Sequence, residues 1–253
     1  MKAVGIIYKQ EDKVIAGTAQ QIKKELEGQG YKVGLAGAKF VITLGGDGTI
    51  LRAARLLAKN KTPILGLHLG GLGFLSEIKL AELSTVLAQI KKGKFEIDER
   101  AMIETWVGGR TLTALNDFVI SHSGIARVIK VEIEGVANYL SDGIIFSTAT
   151  GSTAYNLSAG GPILTPQSKS IIITPICSHS IATRPIVVEK PIVARVTRGA
   201  EGLLTADGQT KVYLKIGEKI RVQPSKLTTR LIRVNGYDFF GRVRESFAFG
   251  SRI

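Results

Sequence analysis

At 253 residues, the chain is long enough for one large domain or two modest ones with a substantial core. Its 44% apolar and 22% charged content is ordinary for a globular protein, and no apolar run approaches the roughly 20 residues that span a bilayer. The lone cysteine, Cys177, excludes an internal disulfide and points to a reducing cytoplasm. A net charge of +13 favours anionic partners, but its 34 Lys and Arg are scattered, without a helix-turn-helix, zinc-finger or aromatic RNA-binding pattern. Neither nucleic acid nor a membrane is expected as a partner.

In chain order, apolar strand-like runs first alternate with amphipathic helical ones. Strands are predicted at 3–8, 40–44 and 64–67, and helices at 16–28, 49–58 and 80–92, with Gly93 as a C-terminal cap. This alternation predicts an α/β domain with a mainly parallel sheet over residues 1–97. Short β-branched runs follow at 111–114, 117–120, 129–133, 144–146, 171–174, 186–188, 193–196, 212–215 and 220–222. They predict a β-rich second domain over 98–238, with a helical piece starting near Ser152. The tail, 239–253, is expected to pack back on the first domain.

The most informative stretch is FVITLGGDGTILRAARLLA, residues 40–58, an apolar strand entering GGDGT and then an amphipathic helix. Gly45, Gly46 and Gly48 allow close approach of the backbone, and the free N–H groups of the following helix start make an anion site, with phosphate as the natural occupant. A carboxylate there, Asp47, would repel phosphate unless it has another task, such as taking a substrate hydroxyl's proton or helping to hold Mg²⁺. A plain Gly-Asp-Gly turn is the competing account. Further on, STATGSTAYNLSAGGP offers hydroxyls from Thr150, Ser152 and Thr153 and the aromatic face of Tyr155, which suits a nucleoside. Helix capping with Tyr155 in the core is the bland alternative. Asn116 and Asp117 offer an amide and a carboxylate, or a simple turn. Asp207-Gly208 reads equally as a hairpin turn.

GGDGT is shared by NAD kinases, by diacylglycerol and sphingosine kinases, and by relatives of phosphofructokinase. Four further segments resemble the NAD kinase family, in its order: GLHLGGLGFL (66–75), LNDFVI (115–120), YLSDGIIFSTATGSTAYNLSAGGPI (139–163) and TPICSHSIATRPIVV (174–188). The tail FFGRVRESF (239–247) also fits. The resemblance implies transfer of a phosphoryl group from ATP or inorganic polyphosphate to the 2′-hydroxyl of the adenosine ribose of NAD, giving NADP, with Mg²⁺ or another divalent metal. It implies Asp47 as the catalytic residue and Gly45, Gly46, Gly48 and Thr49 at the donor phosphates. It also implies Phe74, Asn116, Asp117, Asp142, Thr150, Thr153, Ala154, Tyr155, Ser158 and Asp207 around the dinucleotide, and a homodimer or homotetramer. Two departures stand out. Asp117 stands where the family more often has Glu, and His68 where it commonly has Asn. His179 and Arg184 read as structural, and the three histidines are too dispersed for zinc. A lipid kinase sharing GGDGT and a non-catalytic dinucleotide sensor are the competing readings.

Overall fold

The computed structural model describes residues 3–71, 73–124, 128–199, 201–234 and 236–248. The chain divides into two compact units: Met1–Glu99 with Thr229–Ile253, and Arg100–Thr228.

The first unit opens with β1 (Ala3–Tyr8), α1 (Lys13–Gly28), β2 (Lys32–Val33), β3 (Phe40–Leu44) and α2 (Asp47–Leu57). It continues with β4 (Ile64–His68), β5 (Ile78–Lys79) and α3 (Leu83–Lys91). Asp12 caps α1 by accepting N–H bonds from Val14 and Ile15, which starts the helix before its first apolar residue. Gly93 takes a left-handed φ of 72° after α3, while its own N–H reaches Ile90 and that of Lys94 reaches Gln89. Those two bonds satisfy the last carbonyls of the helix, which glycine allows without a Cβ clash. Strands β1, β3 and β4 are parallel neighbours, with β2 beside β1 and β5 beside β4. All five residues of β3 and of β4 are buried, as befits strands covered on both faces. Their core includes Ile42, Leu44, Leu65 and Leu67 with Leu26 of α1 and Leu83 of α3.

Strand β6 (Glu96–Val107) begins in the first unit and, in the second, pairs antiparallel with β7 (Arg110–Ala114). Strands β8 (Asp117–His122), β9 (Ile129–Ile133), β10 (Ala137–Ser141) and β11 (Gly143–Ser147) precede the short α4 (Tyr155–Ser158). Then come β12 (Ile171–Ile176), β13 (Ile186–Val188), β14 (Ile192–Arg198), β15 (Gly202–Ala206), β16 (Thr210–Leu214) and β17 (Lys219–Arg233). One antiparallel sheet runs β13-β12-β11-β8-β15-β16, and β10, β9, β14 and the start of β17 form a second set of antiparallel neighbours. Alternate residues of both, among them Phe118, Ile120, Phe146, Val131, Val196 and Val222, share one core. The end of β17 belongs to the first unit, where Leu231 pairs parallel with Ile64, and α5 (Phe239–Phe247) follows there.

The helix predicted at 80–92 is divided into a 3₁₀ turn, Leu80–Glu82, and α3, and the helical piece expected near Ser152 is found as a 3₁₀ turn, Gly151–Thr153, followed by the short α4. Strand β6, 12 residues long, was not predicted. Residues 249–253 of the tail lie outside the described residues.

Candidate functional site

In the first unit the GGDGT loop leaves the carboxyl end of β3, the edge at which ligands bind in parallel α/β sheets. Gly45 has φ 132°, and a Cβ there would meet the Thr49 hydroxyl, so only glycine fits. Gly46 caps α2 with no side-chain bond, and Asp47 occupies the first helical position, where its charge complements the helix dipole. The Asp47 carboxylate is not idle. Its Oδ2 accepts the Phe74 N–H at 2.8 Å, while Oδ1 accepts the N–H groups of Leu75 and Ser76 and the Ser76 hydroxyl at 3.2, 3.2 and 3.3 Å. Gly73 is adjacent, and a Cβ on it would strike that carboxylate.

The same segment is held from its other side. Arg233, 3% exposed, bonds the Leu75 carbonyl at 3.0 Å and pairs with Glu77 and Asp98, each at 3.0 Å. Its guanidinium lies 4.3 Å from the centre of the Tyr237 ring, whose hydroxyl donates to the Phe74 carbonyl. Burial pushes the Glu77 carboxyl up, against the lowering influence of Arg233 and Arg242. Phe74 stacks on Phe247 of α5 with ring centres 5.3 Å apart. Leu75, the next residue, is a core residue at 3% exposure.

The second unit carries a cavity of about 670 Å³, within the range of small-ligand sites. It gathers Asn116, Asp117, Asp142, Ala154, Tyr155 and Asp207 from positions up to 91 residues apart in sequence. Antiparallel pairing explains the convergence. β8 lies between β11 and β15, so the start of β8 meets the β15–β16 turn, and the Asp207 N–H bonds the Asp117 carbonyl at 2.9 Å. Asp207 has a left-handed φ of 49°, and its carboxylate accepts N–H bonds from Leu115, Asn116 and Asp117 at 3.2, 2.7 and 3.3 Å. Asp207 thus sits in the hairpin turn and also lines the cavity. Asp117 is 5% exposed and no hydrogen bond reaches its carboxylate among the described residues. Burial first, and the Asp207 charge second, push its pKa up to about 7. Tyr155 is 47% exposed on the cavity wall, which removes the core reading of its ring.

Thr150, Thr153 and Ser158 do not line this cavity. Thr150 is buried and accepts a bond from the Arg100 guanidinium, Thr153 donates to the Thr150 carbonyl, and Ser158 is exposed on α4. Much of GSTAYNLSAGGP instead fixes its own backbone. Asn156, fully buried, donates to the Ser152 and Pro162 carbonyls and accepts from Thr174. A Cβ on Gly161 would strike Asn156, and one on Gly151 the Asn116 backbone.

The family model for the ATP-NAD kinase N-terminal domain matches residues 8–95, and that for the C-terminal domain matches residues 115–234. The chain belongs to the ATP-NAD kinase family. The NAD kinase of Moorella thermoacetica is 45% identical over 224 residues, covering 84% of this chain and 72% of its own. That of Trichlorobacter lovleyi is 37% identical, with 100% of both chains covered. Among solved structures, an NAD kinase from Archaeoglobus fulgidus in complex with ATP superposes with a TM-score of 0.77 at 26% identity, covering 98% of each chain. Yeast NADH kinase complexed with NADH gives a TM-score of 0.88 at 23% identity, covering 100% of this chain and 89% of that one, and speaks for the fold alone.

In this ATP-NAD kinase family member, the cavity is also lined by Val119, Ser121, His122, Ile176, Cys177 and Thr205, none of them anticipated. Cys177 follows β12, whose Ile176 pairs with Gly143 and whose carbonyl accepts the Asp142 N–H. Cys177 lies within the family-like segment TPICSHSIATRPIVV, but nothing in that segment marks it as a lining residue. Only the strand register brings it beside Asp142.

Proposed function

We propose that the chain phosphorylates the 2′-hydroxyl of the adenosine ribose of NAD, with ATP or inorganic polyphosphate as donor, to give NADP. The observation that carries this reading is the match to both ATP-NAD kinase domains in a chain that keeps Asp47 in its glycine loop. Phosphoryl transfer depends on in-line positioning and on neutralising charge that spreads over the phosphoryl oxygens. In this reading Gly45, Gly46, Gly48 and Thr49 meet the donor phosphates at the start of α2, where backbone N–H groups favour anions. The second unit holds the dinucleotide, with the Tyr155 ring as a stacking face and Asn116, Asp117, Asp142, Ala154 and Asp207 around it. Phe74, Thr150, Thr153 and Ser158 complete the set that the family resemblance assigns to NAD.

Asp47 orients the 2′-hydroxyl and takes its proton as the new O–P bond forms and the bond from that phosphorus to the donor's bridging oxygen breaks, with ADP or the shortened polyphosphate as leaving group. Its Oδ2 accepts a single N–H bond among the described residues, which leaves that oxygen a lone pair for the hydroxyl. The three bonds to Oδ1 hold the carboxylate in place meanwhile. Among the described residues no group of three or more His, Cys, Asp or Glu is arranged to hold a metal ion. A divalent metal would arrive with the phosphate donor, as Mg²⁺ commonly does in such enzymes, and would supply neutralisation of donor charge beside the glycine loop. A cytoplasmic location and a homodimer or homotetramer complete the proposal. No helix among the described residues is long and apolar enough to cross a membrane.

The test is NADP formation by purified protein with Mg²⁺, NAD and either ATP or polyphosphate, with and without chelator. Phosphorylation of diacylglycerol or a sphingoid base in vesicles, without NADP from either donor, would replace this reading with a lipid kinase. Dinucleotide binding without turnover would leave a sensor.

A further inference from the structure

Within the first unit, two peptide groups stand between Asp47 and a pair of distant side chains. The N–H groups of Leu75 and Ser76 both donate to Oδ1 of Asp47, each at 3.2 Å. Each N–H belongs to a peptide group whose carbonyl is also engaged. The carbonyl of the Phe74–Leu75 peptide accepts the Tyr237 hydroxyl at 3.1 Å, and that of the Leu75–Ser76 peptide accepts Arg233 Nη1 at 3.0 Å. Two short chains of hydrogen bonds therefore run from Tyr237 and from Arg233, through one peptide group each, to the same carboxylate oxygen.

Strand pairing and one glycine bring the partners together. Leu231 of β17 pairs with Ile64 of β4, and Arg233 follows two residues on. Gly66, two residues beyond Ile64, leaves the room: a Cβ there would lie 3.0 Å from the Ser76 Cα and 3.3 Å from the Leu75 carbonyl oxygen. Arg233 is fixed in turn by Asp98 at Nε, by Glu77 at Nη1 and by the Tyr237 ring beneath its guanidinium.

A carbonyl that accepts a hydrogen bond polarises its peptide group and makes the N–H a stronger donor, more so where the partner is charged and water is excluded. Both peptide groups are polarised toward Oδ1, which becomes the anchored oxygen of Asp47. Oδ2, with the Phe74 N–H alone among the described residues, is the less committed one. We propose that Arg233 and Tyr237 are positioning residues for the phosphoryl transfer, fixing through these two peptide groups which oxygen of Asp47 is left for the 2′-hydroxyl. This inference rests on the assignment of Asp47 as proton acceptor and extends it to two side chains that act on the carboxylate only through the backbone.

Steady-state kinetics and backbone amide NMR spectra of the full chain and three variants test it. Tyr237→Phe removes one hydroxyl and keeps the ring against the guanidinium. It should lower kcat roughly tenfold, the cost of a slightly misplaced reacting group, and leave KM for NAD and for the donor unchanged. Its Leu75 amide proton should move upfield while that of Ser76 stays. In Arg233→Lys the ammonium reaches about as far as Nε, which serves Asp98, and falls short of the Nη1 that serves Leu75. That variant should also lose kcat, with the Ser76 amide proton moving upfield; if it does not fold, Tyr237→Phe decides alone. Glu77→Gln keeps an oxygen for Arg233 and both carbonyl bonds, so it should retain the parental kcat and both amide shifts. A parental kcat in Tyr237→Phe, a Leu75 amide proton that does not move there, or a kcat in Glu77→Gln as low as in Tyr237→Phe would each overturn the inference while leaving NADP formation by the parent intact. A parent chain that forms no NADP overturns the kinase reading and the positioning role with it.

Discussion

Replacing Asp117 with Asn should stabilise the protein, increasingly so as pH rises. The Asp117 carboxyl has an ordinary value of 3.8 and is lifted by burial and by Asp207 to about 7 in the folded chain. Within that window the folded state holds a proton that the unfolded state has lost, so folding takes up a proton. Stability then falls as pH rises from 3.8, and the loss is complete above about 7, where both states are ionised. At ~1.4 kcal/mol per pH unit, the window of about three units corresponds to a total of about 4 kcal/mol as an upper bound. Of that total, about 2–3 kcal/mol falls between pH 5 and pH 8 by the same relation. Asn carries no charge at any pH and escapes the loss. Denaturant unfolding of the parent and of Asp117→Asn at pH 5 and pH 8 reads the effect directly. The stability gap should widen in favour of the variant by the stated amount. Stability curves parallel to within ~0.5 kcal/mol over that range, about the scatter of surface substitutions, would refute the claim that Asp117 is a charge held without support.

Asp47→Asn should lower turnover by roughly 10² or more in steady-state assays, and because an amide NH₂ would face N–H groups of residues 74–76, it should also increase hydrogen exchange of that segment. Turnover within a factor of about three of the parent would remove the catalytic role. Tyr155→Ala should raise the KM for NAD with little change for the donor and little change in unfolding midpoint, since the ring is exposed on the cavity wall. Asn156→Ala should cost about 2–4 kcal/mol by denaturant unfolding, because three buried polar partners lose their bonds.

Residues 40–58 were the most legible part of the chain. FVITL is apolar throughout because β3 is buried on both faces, and the three glycines mark the turn that follows. Strand β6 was hidden by its charges. Glu96, Asp98, Glu99, Arg100 and Glu104 make the segment look like surface, yet Arg100 is fully buried and Asp98 pairs with Arg233. Hydropathy does not register a charge that finds its partner elsewhere in the sequence. The helical piece after Ser152 stays short, since Asn156 ties the segment to Pro162 and Thr174 and not into a longer helix.

In the candidate site, motif residues and cavity residues overlap only in part. Ala154 and Tyr155 reach the cavity, whereas Ser152 and Asn156 of the same motif hold its backbone and Thr150 accepts a bond from the Arg100 guanidinium. Their side chains are as distinctive in the sequence as those that line the cavity, so a motif cannot separate the two groups. His122 lies outside the family-like segments and Cys177, 55 positions on, lies within one that does not mark it as lining, and strand pairing brings the two to one cavity.

The clasp on residues 74–77, with Asp47 on one side and Arg233 on the other, divides the effects of ionic strength. Salt screens exposed charges over about 10 Å at 0.1 M but barely weakens pairs withdrawn from solvent. The pull of a strongly basic surface on a polyanionic phosphate donor should therefore fade with added salt, while the segment beside the glycine loop stays fastened. Salt should then tax the arrival of the donor, seen as a rising KM for it, and spare the turnover of a loaded enzyme.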